Sequence, residues 1–176
     1  MRIGPLRLVD RARLAEILVA TAAFNADEVN VALSLFDVSG ESLGGGAAGA
    51  DAASADYEFR GAFDAADRLA GYACFGATPG TDGTWDLYWL AVDPVAQGQG
   101  IGRALLRAVE DELGGRGARM LVAETSGRAD YAPTRAFYLA TGYAEAARVR
   151  DFYAPADDRI MLHRRLTMRE RGVARR

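Results

Sequence analysis

The run Leu90-Ala91-Val92-Asp93-Pro94-Val95-Ala96-Gln97-Gly98-Gln99-Gly100-Ile101-Gly102-Arg103-Ala104-Leu105-Leu106 constrains this chain more than any other. An apolar strand end, a glycine-studded loop and the start of an amphipathic helix follow one another in it. Glycines at positions 98, 100 and 102 let the backbone approach a ligand closely. The helix that follows turns unpaired N–H groups and the positive end of its dipole toward the same place. Such a loop is an anion cradle, and the ligand it implies carries phosphate.

Two familiar phosphate loops do not fit. The nucleotide-triphosphate loop ends in Gly-Lys-Ser/Thr so that an ammonium reaches the terminal phosphates, and this chain has no lysine. The dinucleotide fingerprint Gly-x-Gly-x-x-Gly, read from Gly98, requires a third glycine where Arg103 stands. What remains from the residues alone is the pattern Gln97-Gly98-Gln99-Gly100-Ile101-Gly102 after a strand ending Leu-Ala-Val-Asp-Pro, with a plain glycine-rich strand-to-helix turn as the alternative.

The chain's 176 residues suffice for one domain, expected over 1–167, with a basic tail at 168–176. Hydrophobic residues at 50% and charged residues at 26% are ordinary globular usage and argue against disorder through the body of the chain. One cysteine, Cys74, excludes an internal disulfide framework and reads as a small core residue. A formal net charge of −3 argues against a nucleic-acid partner and suits amine-bearing ones. The longest apolar stretch near the start, Ile17 to Phe24, is far shorter than the roughly 20 residues of a membrane span. No signal peptide or membrane partner is therefore expected, and the location expected is cytoplasmic. From Arg164 to Arg176 the arginines read as a solvated terminus.

Leu6 to Val9 reads as a first strand, and Asp10 as the cap of a helix with apolar positions Leu14, Ile17, Leu18 and Ala22. Asn25 and Glu28 form a capping-box pair ahead of the stripe Val29, Ala32, Leu33 and Phe36. Gly40 to Ser54 reads as a connecting loop. Strand patterns follow at Tyr57 to Phe63, Leu69 to Ala77 and Trp85 to Val92, the last two separated by the turn Pro79-Gly80-Thr81-Asp82-Gly83. After the glycine loop, Ile101, Leu105, Ala108, Val109 and Leu113 share a helix face stopped by Gly114-Gly115. Arg119 to Thr125 reads as a buried strand, Pro133 as the first turn of a helix ended by Gly142, and Tyr143 to Phe152 and Arg159 to Leu166 as closing strands. The order is mixed α/β rather than strictly alternating.

This order, the loop from Gln97 to Gly102 and the later run Thr134-Arg135-Ala136-Phe137-Tyr138-Leu139-Ala140-Thr141-Gly142-Tyr143 together resemble the GCN5-related N-acetyltransferase (GNAT) superfamily. The loop resembles its Gln/Arg-x-x-Gly-x-Gly/Ala acetyl-CoA signature and the later run its helix ending aromatic-Tyr-x-x-x-Gly-aromatic. The resemblance covers essentially the whole chain. It implies a central mixed, mostly antiparallel sheet of about seven strands flanked by about four helices.

The same resemblance implies acetyl-CoA as co-substrate. Backbone groups of Leu90, Ala91 and Val92 would then meet the pantetheine end, and Gly98, Gln99, Gly100, Ile101 and Gly102 with Arg103 the pyrophosphate, while Gln97 orders the loop. Tyr138 falls at the position of the tyrosine that gives a proton to the departing CoA sulfur, work that suits a phenol because it stays protonated at neutral pH. Glu124 resembles the glutamate some members use as base. Asp86 and Tyr88, on one side of their strand, are candidates for orienting the acceptor amine. The sequence departs from the family at Tyr131, where many members carry a cofactor-contacting asparagine.

The reaction implied is direct acetyl transfer to a primary amine, of a small molecule or a peptide N-terminus, in a ternary complex. A homodimer is an expectation at family level. The alternative from another class is an acyl-CoA sensor or scaffold without turnover. No metal is expected, because His163 stands alone on a strand and no cysteine cluster accompanies it.

Overall fold

The computed structural model describes residues 1–43 and 57–166. Its elements are β1 (Arg2–Pro5), α1 (Arg11–Ala20), α2 (Ala26–Leu43), β2 (Glu58–Phe63), β3 (Leu69–Ala77), β4 (Thr84–Val92), α3 (Ile101–Gly115), β5 (Met120–Ser126), α4 (Ala132–Ala140), β6 (Ala144–Ala154) and β7 (Asp157–Arg165). The strands form one seven-stranded sheet in the order β1-β2-β3-β4-β5-β7-β6. The pairs β1·β2, β2·β3, β5·β7 and β6·β7 are antiparallel and β4·β5 is parallel. With four α-helices among the described residues, this is the mixed α/β architecture expected.

The chain divides into two compact units, Met1–Ala77 with Tyr88–Val109, and Thr78–Leu87 with Glu110–Arg176. In the first unit, two apolar clusters pack around β2, β3 and the end of β4. One gathers Leu14, Ile17 and Leu18 of α1 and Phe36 of α2 on Phe59, Phe63, Tyr72 and Ala91. The other gathers Ile101 and Leu105 of α3 on Ala62 and Ala70, with Leu90 and Val92 at its edge. Because side chains alternate along a strand, Ala91 joins the first cluster and its neighbours Leu90 and Val92 the second. In the second unit, β5 buries Leu121, Ala123 and Thr125 on one side and pairs with β7 from Met120↔Arg165 to Ser126↔Arg159.

Several sequence expectations need correction. The first strand is Arg2–Pro5 rather than Leu6 to Val9, and Leu8–Asp10 is a 3-10 turn. Pairing decides this: Ile3 registers with Ala62, Leu6 turns into the core, and Asp10 accepts from the Arg7 N–H at 2.8 Å to close the turn. Asp10 thus caps nothing in α1 with its side chain. Ala22 lies beyond α1 at φ 52° and is exposed, so it is the left-handed stop rather than a core position. The Asn25–Glu28 pair does close reciprocally, at 2.8 and 2.9 Å.

α2 continues to Leu43, taking in the first residues of the expected Gly40 to Ser54 loop, whose remainder falls outside the described residues. α3 runs through Gly114 and Gly115 and stops at Gly117 (φ 85°), where the Ala118 N–H donates back to the Leu113 carbonyl at 3.0 Å. Arg164 and Arg165 belong to β7, and the tail from 167 lies outside the described residues.

Candidate active site

Asp93 ends β4. Its N–H donates to the Ala70 carbonyl at 2.9 Å, and its carboxylate accepts from the Val95 N–H at 3.2 Å, capping a 3-10 turn over Pro94–Ala96. Gln97 Nε2 donates to the Val92 carbonyl at 3.2 Å, tying the turn back to the strand. Gly98 and Gly100 then take φ 75° and 81°, the left-handed region that disfavours any residue with a Cβ. A Cβ built on either meets no heavy atom within 4 Å, so the outer side of the loop is open.

The first bond of α3 runs from the Ala104 N–H to the Gly100 carbonyl at 3.0 Å. Helix geometry therefore leaves the N–H groups of Ile101, Gly102 and Arg103 without a carbonyl four residues back in the helix. Ile101 and Leu105 anchor that end to the core, and Arg103 is exposed beside it. These residues fit a diphosphate: two left-handed glycines on an open face, three free-ended N–H groups, a helix dipole of 15 residues and a guanidinium. Leu90, Ala91 and Val92 direct their side chains into packing, so what this strand end offers a ligand is its backbone. Tyr88, in the same unit, is exposed beside Tyr57, ring centroids 5.0 Å apart.

The second unit holds Tyr138, Glu124 and Asp86. Tyr138 is 6% exposed on α4, its ring 5.3 Å from both Phe137 and Tyr143. Burial pushes its phenol well above the ordinary range, so the hydroxyl is a proton donor throughout neutral pH. The sequence suggests that Phe137 fills the core at this turn; the structure gives that place to Tyr138 and leaves Phe137 half-buried. Behind Tyr138, the Tyr143 phenol is also raised, by burial first and by the nearby Glu110 carboxylate. Glu110 pairs with Arg164 at 3.1 Å, and Arg164 Nη1 donates to the Thr141 carbonyl at 2.6 Å, fixing the end of α4.

Glu124 stands on β5 opposite in direction to Ala123 and Thr125, and its carboxylate is ion-paired with Arg159 of β7. The Arg159 guanidinium also lies 4.8 Å from the Phe152 ring centroid. The Glu124 hydrogen bond raises the Arg159 pKa, and Tyr153 and Asp86 add smaller contributions in the same direction. Asp86 accepts from Thr78 Oγ1 at 2.7 Å. As a base, Glu124 has to exchange or share its guanidinium partner before it can take a proton from an amine.

Asp93, Arg13 and Arg159 are residues the sequence reading did not single out. Asp93-Pro94 carried a signal, since a capping residue followed by proline opens a helical turn. The pairing of Asp93 with Arg13, 80 residues away, carried none. Among the described residues no group of three His, Cys, Asp or Glu is placed to hold a metal. His163 sits on β7 with its buried Nδ1 lacking a hydrogen-bond partner. No helix among the described residues is long and apolar enough to cross a membrane.

The model of the acetyltransferase (GNAT) family matches residues 46–143, more than half of the chain. A [ribosomal protein bS18]-alanine N-acetyltransferase of Escherichia coli is 44% identical over 73 residues, 42% of this chain and 48% of that protein. The chain thus spans about half the length of the curated relatives it matches. A crystal structure from Desulfovibrio desulfuricans, described as a GNAT-family acetyltransferase, is 39% identical with a TM-score of 0.84, covering 94% of this chain and 99% of that one. An aminoglycoside 6'-N-acetyltransferase solved with coenzyme A has a TM-score of 0.70 at 17% identity, covering 96% and 99%, a likeness of fold. The chain belongs to the acetyltransferase (GNAT) family.

Proposed function

We propose that this protein transfers acetyl from acetyl-CoA directly to a primary amine in a ternary complex. The observation that carries the reading is the loop geometry: Gly98 and Gly100 in left-handed conformations, open on their outer side, at the start of α3. In this reading residues 1–167 act as one transferase domain. The loop N–H groups and Arg103 hold the pyrophosphate, and the backbone of Leu90 to Val92 orients the pantetheine end. Acetyl-CoA supplies the thioester carbonyl that the amine attacks. Glu124 takes the proton the amine gives up, and Tyr138 gives its phenolic proton to the sulfur as the carbon–sulfur bond breaks. Asp86 and Tyr88 orient the acceptor.

The acceptor classes to screen follow from the relatives: an alanine amine of a ribosomal protein, and aminoglycoside amines. A calorimetric titration with acetyl-CoA, with ATP as control, tests the first half of the proposal. Saturable binding unmatched by ATP supports it, and no binding refutes it. The engagement of Glu124 by Arg159 favours the alternative of an acyl-CoA sensor, and release of CoA thiol in the presence of any amine from the panel decides against that alternative.

A further inference from the structure

We propose that Arg13 of α1 is a positioning residue for the glycine loop, setting the affinity for coenzyme A through its clamp on Asp93 without touching the ligand. The inference rests on the reading that this loop binds the pyrophosphate. Asp93 is 6% exposed and is held from three sides. Its N–H is spent on Ala70, one carboxylate oxygen on the Val95 N–H, and the other on the Arg13 guanidinium. Arg13 is itself fixed, its Nε donating to the Leu69 carbonyl at 3.1 Å and its Nη1 to Glu16 at 2.8 Å. The two carbonyls at Leu69 and Ala70 are adjacent, so α1, the start of β3 and the end of β4 are joined at one point.

From that point the chain has little freedom before the glycines. The Ala96 N–H donates to the Asp93 carbonyl at 2.8 Å and Gln97 returns to Val92, so the direction in which Gly98 to Gly102 present their N–H groups is set where Asp93 sits. Arg13 has a second effect. Asp93 is a nearly buried carboxylate at the base of a loop shaped for an anion, and removing the guanidinium leaves that negative charge uncompensated. Among the charged groups around Arg13, Glu16 is also acidic, and Arg68 stands beyond it at 3.9 Å from Glu16.

The two effects give an order that loss of packing alone does not. Arg13→Gln leaves a bare carboxylate and is expected to weaken coenzyme A binding more than tenfold. Asp93→Asn removes the charge and weakens it less. The double variant binds better than Arg13→Gln alone, and Arg13→Lys recovers most of the wild-type affinity. The test is calorimetric titration of each full-length variant with coenzyme A, at a temperature where circular dichroism shows it folded, with KM for acetyl-CoA and kcat measured once an acceptor is found. KM rises and kcat at saturating acetyl-CoA stays. Should Arg13→Gln not fold, Arg13→Lys and Asp93→Asn carry the comparison.

Equal affinity of wild type and Arg13→Gln, or affinities that follow thermal stability without this order, overturns the inference. No coenzyme A binding by the wild type overturns the functional reading and this inference with it, and the two failures are thereby distinguished.

Discussion

Replacing Gly100 with alanine separates the two demands made on the loop, its backbone conformation and its open face. Gly100 stands at φ 81°, where a residue with a Cβ is disfavoured by about 1–2 kcal/mol. For a chain of this size each kcal/mol lowers the melting temperature by about 2–4 °C. Gly80, in the turn between β3 and β4, provides a matched control: its φ is 72° and its added Cβ also meets nothing within 4 Å. Gly80→Ala and Gly100→Ala should therefore lower stability by the same amount, because neither introduces a clash.

Only at Gly100 does the new methyl group stand on the loop proposed to hold the ligand. Displacing one hydrogen bond to a charged group is worth about 1.5–3 kcal/mol, which is on the order of a ten- to hundredfold rise in the Kd for coenzyme A. Thermal unfolding without ligand measures the first quantity and calorimetric titration with coenzyme A the second. If Gly100→Ala binds coenzyme A as tightly as Gly80→Ala, the loop is a glycine-rich turn and not a phosphate cradle.

Three further outcomes are expected. Tyr138→Phe keeps the buried ring and its packing on Tyr143, so coenzyme A affinity is retained while turnover falls by about 10²–10⁴-fold, the usual contribution of a positioned proton donor; unchanged turnover removes Tyr138 from the mechanism. In Gly71→Ala the new Cβ stands 2.8 Å from the Ala91 carbonyl oxygen and 3.2 Å from the Val92 Cα, so the strand that leads into the loop has to move. A loss of about 1–3 kcal/mol in chemical denaturation is expected, with weakened coenzyme A binding, and a wild-type midpoint would contradict it. Burial raises the pKa of Tyr72, Tyr138, Tyr143 and Cys74 above ordinary values of 10.0 and 9.0, so these groups keep their protons in the folded state when the unfolded chain has lost them. Their stabilising contribution is complete below pH about 9 and falls as pH rises further, by about 1.4 kcal/mol per pH unit for each fully ionising group. Denaturation midpoints that stay level from pH 8 to 11 would refute the burial argument.

The parts of this fold that could be read in advance are those decided within a few residues. Asn25 and Glu28 close on one another because each supplies what the other's backbone lacks, and the periodic apolar positions of α1 and α3 fix which side each helix buries. Element ends were less legible, because they depend on partners. Arg2–Pro5 is a strand since β2 offers a register to Ile3, whereas in the more apolar stretch Leu6 to Val9 only Leu6 is buried and Leu8 and Val9 stay exposed. α3 outruns two glycines because both tolerate helix, and it stops only where Gly117 lets the Ala118 N–H return to Leu113.

The candidate site divides along the same line. The anion cradle proposed there is made of backbone, and the backbone's freedom is written locally in Gly98 and Gly100. Its side-chain chemistry is made of pairs, Asp93 with Arg13 and Glu124 with Arg159, and such pairs join residues 80 and 35 positions apart. A chain that carries all of its 21 basic residues as arginine offers many equivalent partners to each carboxylate. The identity of Glu124 as a carboxylate on a strand could be read from the sequence, but its engagement by a guanidinium could not, and that engagement determines whether it can act as a base. Two roles for this ion pair are therefore told apart at Arg159. If an amine acceptor exchanges with that guanidinium at Glu124, Arg159→Gln should lower KM for a cationic acceptor while leaving coenzyme A affinity unchanged. If Arg159 is what keeps Glu124 in place, the same variant loses kcat instead, and the two results assign opposite roles to one ion pair.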